Sequence, residues 1–314
     1  MTLSGETYTS YLRTNVLPVA QEAIYYNNFL FGPQSPFEVV GPTACPGGDS
    51  VDILVDTSVS SNVAVYTVGD PMPTPDTTTT VQAYFAKDMF QGTAKTYDIY
   101  RAFQANGGAY PALGDQDTKA ITTVAKSLRD LACTTMLGDM ITWIDSTSAF
   151  SDASLNRTTY PSLASYESGS VGTLAKADLD GMIENLENGT YQKVPRSDMV
   201  WLMPVNQIWN AADVLAGVSG TIPWALSAQA DRMDVEATAK MATYGGIPIV
   251  PVPDLTNTNI LLVDRNTVKI YNWMALEITP KDVAAAEQSW LLKFGASVAI
   301  LNPARCGKLD GITP

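Results

Sequence analysis

The stretch Asp117–Ile144, DTKAITTVAKSLRDLACTTMLGDMITWI, contains no proline and a single glycine. Ile121, Val124, Ala125, Leu128, Leu131, Ala132, Met140 and Ile141 recur in it at three- and four-residue steps. That spacing predicts one apolar stripe on a 3.6-residue helix. Asp115 or Asp117 can cap the first turn, because a short carboxylate accepts from the unpaired amides there. At 1.5 Å per residue the helix would run about 40 Å, longer than most globular helices. Lys119, Lys126 and Asp130 fall on the opposite face, and a solvated helix surface accounts for them better than a nucleic-acid contact. A single long helix, preceded by β-type sequence and followed by a long α/β region, is an unusual plan.

The chain has no histidine among its 314 residues. Ser-His-Asp triads, Cys-His dyads, HExxH zinc sites and the commonest acid–base side chain are therefore all excluded. Any chemistry would have to run on carboxylates, lysine or tyrosine. The formal charge is −13 and the isoelectric point is near 4.3, which argues against general nucleic-acid binding, since a phosphate-binding surface needs clustered Lys and Arg. Apolar residues make up 46% of the chain and mean hydropathy is near zero, the profile of a globular protein with room for two or three packed units. No apolar run approaches the ~18 residues of a membrane span, and MTLSGETYTS lacks the profile of a signal peptide. Cys45, Cys133 and Cys306 are widely spaced and odd in number, which points to a reducing compartment rather than a disulfide framework.

Residues 1–48 read as an arm. Asn15 can cap a helix with Pro18 in its first turn, running through Ala20, Ala23, Ile24 and Phe29; GPQSP and GPTACPGG then break regular structure. Such a segment cannot carry its own core, so its apolar side chains must pack on another element or another subunit. Residues 49–98 are β-type: VDILVDT, SNVAVYTV and TTTTVQAYFAKDMF. Between the last two lies GDPMPTPD, a protruding tip or stiff turn, because proline cannot donate to a ladder; an ordinary long surface hairpin fits equally well. Residues 145–172 are Ser/Thr/Tyr-rich and read as a loop that marks a boundary.

Residues 173–302 alternate in type. TLAKADLDGMIENLENG predicts an amphipathic helix with Thr173 as cap and Gly189 as stop. MVWLMP predicts a short buried strand, and Asn206 can cap QIWNAADVLAG as a helix. YGGIPIVPVPD reads as extended, with prolines suited to an edge strand. NILLVD–RNT–VKIYNW reads as a hairpin, and so does EQSWLLKF–G–ASVAILNP with Gly295 at its turn. Short helices on a mixed sheet are the economical arrangement, and residues 303–314 form a tail.

No catalytic, cofactor-binding or metal-binding residue set can be assigned. Asp178, Asp180 and Glu184 could hold a hard cation, but acids in the opening turns of a helix complement its dipole. Asp52 and Asp56 share strand parity, as a solvated face would. No phosphate-binding glycine motif occurs. Trp201, Trp209, Trp224, Trp273 and Trp290 read as core or subunit-contact residues rather than base-stacking ones. A chain of this size without a catalytic set is more often structural than enzymatic.

The order of these parts resembles the major capsid proteins of tailed double-stranded DNA bacteriophages, the Hong Kong 97-like α+β fold, over nearly the whole length. LPVAQEAIYYNNFL resembles the N-terminal arm. GDSVDILVDT and TTTTVQAYFAKDMFQGTAKTYDIYRAF resemble the two sides of the extended β-hairpin loop (49–98). Asp117–Ile144 resembles the spine helix of the peripheral domain (99–172). TLAKADLDGMIENLENG, MVWLMPVNQIWNAADVL, YGGIPIVPVPD and ILLVDRNTVKIYNWMALEI resemble the axial domain (173–302), and SWLLKFGASVAILNPARCGKL its closing strand pair. The resemblance implies a non-enzymatic shell protein that self-assembles into hexameric and pentameric capsomers around phage DNA without reading its sequence. It also implies portal and scaffolding or decoration proteins as partners, assembly in the host bacterial cytoplasm, a place in the virion, and no membrane or cofactor. One departure is visible: some relatives join an extended-loop lysine to a neighbour's asparagine, yet residues 68–80 contain no lysine and Lys87 lies well down the returning strand. Encapsulin nanocompartments share the fold, although the long arm here differs from their short cargo-receiving helix. A carboxylate-driven hydrolase would need two buried acids converging in a cleft, and no such pair can be nominated.

Overall fold

The computed structural model describes residues 17–25, 29–32, 35–45, 47–48, 50–56, 80–97, 116–144, 166–168, 171–188, 193–208, 210–211, 243–281, 287–302 and 305–313. The chain divides into two compact units. One comprises residues 1–47, 87–138 and 269–298; the other comprises 48–86, 139–268 and 299–314.

The first unit is built on a four-stranded sheet in the order β1 (Glu38–Val40), β10 (Val268–Lys281), β11 (Glu287–Ile300), β4 (Asp88–Tyr97). Strand β4 alternates cleanly: Phe90, Ala94 and Thr96 are buried, whereas Met89, Gln91, Thr93 and Lys95 are exposed. That period of two is what a sheet with one covered face requires. The cover is the helix α2 (Gln116–Ile144). A Cβ on Gly92 would lie 2.7 Å from Val124 Cγ1 and 3.4 Å from Leu128, so the glycine is what lets helix and strand approach this closely. Thr96 Oγ1 donates to Asp117 Oδ1 at 2.6 Å inside the same contact. Asp117 is thus a buried tie to β4, one residue inside the helix, rather than its cap; Asp115 lies outside the described residues. Phe294 is the hub of an aromatic group, with Phe31 edge-on and Phe90 stacked, both at 5.5 Å. The segment 17–45 therefore packs on an element of its own chain: α1 (Leu17–Tyr25) buries Ala20 and Ile24, and β1 pairs parallel to β10 with Glu38 against Lys269.

The helix agrees with the predicted register at Ile121, Ala125, Leu128, Ala132 and Met140, all buried. Leu131 does not; it is 54% exposed. At 100° per residue it sits about 80° round from Ile121, outside the narrow arc that holds Ala125, Leu128, Ala132 and Met136. Lys119, Lys126 and Asp130 are exposed, as the solvated face required.

The second unit is organised by a six-stranded mixed sheet in the order β5 (Tyr166–Ser168), β12 (Cys306–Leu309), β9 (Ile260–Asp264), β6 (Met199–Met203), β8 (Ile247–Pro251), β7 (Thr243–Tyr244). Strands β6 and β9 are buried along their whole length, which is why MVWLM and ILLV read as unbroken apolar runs rather than alternating ones. Helix α3 (Lys176–Glu187) covers one face, setting Leu179, Met182, Ile183 and Leu186 against Trp201, Ile249, Leu262 and Leu309. At roughly 1.5–3 kcal/mol per large apolar side chain, this layer is a main source of the unit's stability. A separate ribbon pairs β2 (Ser50–Asp56) antiparallel with β3 (Thr80–Ala86), bracketing residues 57–79. Phe85 of β3 stacks on Trp143, in the part of α2 that belongs to this unit, at 4.4 Å.

Several sequence expectations need correction. NILLVD and VKIYNW are not a hairpin: β9 pairs with β6 and β12, while β10 belongs to the other sheet. The second expected hairpin is one continuous strand, β11, running straight through Gly295. That glycine serves a close approach, because a Cβ there would fall 2.5 Å from the Trp273 ring. YGG is a turn rather than extended chain, with φ of +61° at Gly245 and +83° at Gly246, the geometry a tight hairpin needs. The loop expected over 145–172 contains β5, paired parallel to β12. Thr173 does not cap α3: the N-cap is Ala175, whose amide donates to Asp178 Oδ2 at 2.8 Å. Asn206 lies inside its helix, whose first free amides, Gln207 and Ile208, donate to the carbonyl of Pro204. Asn15, the GDPMPTPD tip, Gly189, Trp209 and Trp224 lie outside the described residues.

Candidate functional site

The acids that could have held a cation have separate structural tasks. Asp178 closes the first turn of α3. Asp180 accepts from the Tyr244 hydroxyl and pairs with Lys176 at 3.7 Å. Burial, reinforced by the Asp180 carboxylate, raises the Tyr244 phenol well above its ordinary value. Glu184 is exposed, and its backbone carbonyl accepts from Asn188. Beside them Arg196 grips Glu187 through two nitrogens and donates to the Gly245 carbonyl at 3.1 Å. The hydrogen bond from Arg196 holds the Glu187 carboxyl below its usual range. These contacts tie α3 to the β7–β8 turn. Among the described residues no group of three or more Cys, Asp or Glu converges as a metal site.

The charged cluster that sequence reasoning missed lies at the end of β9. Asp264 is fully buried and faces Arg305 Nε at 2.7 Å. Its Oδ1 accepts from the Asn266 amide at 2.9 Å, and its carbonyl accepts from Thr267 Oγ1. Burial raises the carboxyl, opposed by the Asn266 bond and Arg305. Thr267 Oγ1 also meets Cys306 Sγ at 3.8 Å, and burial pushes that thiol up to about 12. An Asp closing the run ILLVD looks like an ordinary strand end, so no local signal marks it. With an arginine on one carboxylate oxygen and an amide on the other, the group is spoken for structurally.

Of the tryptophans, Trp201 and Trp290 are fully buried. Trp273 lies over Gly295, and its Nε1 donates to the Asp88 carbonyl at 3.1 Å, bracing β10 to β4 across β11. Lys87 is half-buried in the one-residue break between β3 and β4. Asp52 and Asp56 pair with Tyr84 and Thr80 in the ribbon.

The exposed face of the four-stranded sheet is the surface these elements leave open. On β4 it carries Met89, Gln91, Thr93 and Lys95; their register partners on β11 are Gly295, Lys293, Leu291 and Ser289. Met89 is 52% exposed. The face combines apolar side chains with two lysines and contains no acid in these eight positions.

No protein-family model matches the chain, and no curated protein matches it in sequence. Solved structures do match. A chain from the capsid of the native GTA particle aligns over 94% of this chain and 91% of its own, at a TM-score of 0.59 and 15% identity. A chain of Mycobacterium phage Che8 aligns over 88% and 90%, at 0.55 and 11%. The holo-SrpI encapsulin complex from Synechococcus elongatus PCC 7942 aligns over 88% and 85%, at 0.53 and 11%. Nearly the whole of this chain, arm and ribbon included, therefore has the α+β fold of these particle-forming chains.

Proposed function

We propose that this protein is the major capsid protein of a tailed bacteriophage, building an icosahedral shell of hexamers and pentamers around double-stranded DNA. The observation that carries the reading is a whole-chain likeness to capsid chains in a protein whose charged clusters are occupied by structural tasks. In this reading the four-stranded sheet and α2 form the peripheral domain, the six-stranded sheet forms the axial domain, β2–β3 is the base of the extended loop, and residues 17–45 belong to the arm. The role is non-catalytic, in the virion, after assembly in the bacterial cytoplasm with portal and scaffolding or decoration proteins. Purified protein should form rings or closed shells of megadalton mass by sedimentation and negative-stain microscopy. A clean ~34 kDa monomer across a wide range of concentration and salt would overturn the proposal.

The likeness to the SrpI encapsulin supports a second reading, a protein nanocompartment. Particles isolated from their native source distinguish the two. Nuclease-protected double-stranded DNA inside favours the phage shell, and protein cargo without DNA favours the compartment.

A further inference from the structure

The distribution of charge along the chain is uneven in a way the net value conceals. Residues 14–86 hold seven acids, Glu22, Glu38, Asp49, Asp52, Asp56, Asp70 and Asp76, and not one lysine or arginine. That stretch includes the ribbon β2–β3, and a two-stranded ribbon is marginal until something covers it. The open face of β4 and β11 is its complement. Lys95 and Lys293 stand on it roughly 13 Å apart, given their register positions and the rise of a strand, among Met89, Leu291 and the Trp273 ring. The chain already shows the pairing once within itself: Glu38, from the acidic stretch, meets Lys269 of the same sheet at 2.8 Å.

We propose that the open face of the four-stranded sheet, centred on Lys95, Lys293 and Met89, is a docking surface for the base-free acidic stretch (residues 14–86) of a second copy of this chain. The inference rests on the shell reading and adds which surface and which charges join neighbours. Apolar contact at Met89, Leu291 and Trp273 supplies affinity, and the lysines supply register and encounter rate, because charge complementarity acts mainly on steering and specificity. Assembly should then weaken as salt rises, since exposed charges are screened within about a Debye length.

The test compares the full-length parent, Lys95→Glu/Lys293→Glu, Lys95→Gln/Lys293→Gln and Lys95→Arg/Lys293→Arg. Assembly is followed by sedimentation velocity and negative-stain microscopy from low to high salt, and folding by circular dichroism. The Glu pair should need about tenfold or more protein to form shells, or should stop at small oligomers, while keeping the parent's spectrum. The Gln pair should assemble with a flatter salt dependence, and the Arg pair like the parent. If the Glu pair misfolds, the Gln pair's salt dependence decides. Shells that form from either pair with unchanged concentration and salt dependence would overturn the docking surface and leave the shell reading intact. Normal shells that retain less DNA would assign the face to nucleic acid and overturn it too. A parent that never assembles removes the shell reading and the docking surface together.

Discussion

At the scale of single residues, the buried pair Asp264–Arg305 sets the sharpest expectations. Arg305 Nε and Asp264 Oδ2 are 2.7 Å apart, yet neither atom makes a directed hydrogen bond, so the contact is electrostatic rather than oriented. Removing one partner leaves a charge stranded in the protein interior, which typically costs about 3–5 kcal/mol, whereas removing both charges is often near neutral. Arg305→Leu should therefore lower stability by that order in denaturant titration, and Asp264→Asn/Arg305→Leu should recover most of the loss. Additive losses in the double variant would show that the pair is not coupled. Cys306 gives a pH dependence whose sign is fixed. Its thiol titrates near 9.0 when unfolded and is pushed up to about 12 by burial in the fold. Below pH 9 both states keep the proton and nothing is lost. Between pH 9 and about 12 the folded state holds the proton that the unfolded chain has released, so stability falls as pH rises. Cys306→Ala should unfold less steeply over that alkaline range than the parent, and equal slopes would contradict the assignment. By the same burial, Cys45 should react with a thiol reagent in the folded protein well before Cys133 and Cys306, both of which are buried.

At the scale of elements, α2 and β11 show where sequence is legible and where it stops. The helix was readable because its period is a property of neighbouring residues, and Leu128 and Leu131 now separate the stripe from its margin. Leu128 is 4% exposed and Leu131 54%. Leu128→Asp should lose soluble protein, since a buried unpaired charge costs on the order of several kcal/mol. Leu131→Asp should fold within about 0.5 kcal/mol of the parent; equal damage from both would mean the helix register is wrong. The β2–β3 pairing was legible for a similar reason, two β-rich runs flanking a proline tip. The hairpins assigned to 260–273 and 287–302 were not, because adjacency in sequence suggested pairing while the partners of β10 and β11 are β1 and β4, more than 180 residues earlier. Gly295 misled in the same way: in sequence it looks like a turn, but the indole that requires it arrives from another strand. Gly295→Ala should cost about 1–3 kcal/mol by overpacking. Adding Trp273→Leu should return part of that loss, and full additivity of the two changes would deny their contact. The same limit hid Asp264, whose partner Arg305 lies 41 positions later. The open sheet face was invisible too, for it exists only once β4 and β11 are paired.

At the scale of the whole molecule, the shell reading makes a claim about what holds neighbours together. An isopeptide lattice needs a lysine amine set against an asparagine amide, with a carboxylate nearby to take up a proton in a dry pocket. Residues 14–86, which contain the ribbon and everything it brackets, hold no lysine at all. Lys87, the first amine after that stretch, sits at the foot of the ribbon, half-buried between β3 and β4. Disulfides offer no alternative: Cys133 and Cys306 are buried, which leaves Cys45 alone with partial access, and one such cysteine per chain can join two neighbours but cannot extend a net. Cohesion must then come from many weak contacts made together, the apolar and charged sheet face among them. Such contacts are lost together when detergent solvates apolar surface, and no bond remains to hold the chains in pairs. Mature particles boiled in denaturing detergent, with and without reductant, should therefore run as one band near the chain's 33.7 kDa. A ladder from dimers to hexamers that survives boiling and reductant would establish a covalent lattice, and loss of that ladder in Lys87→Arg would identify the amine that makes it.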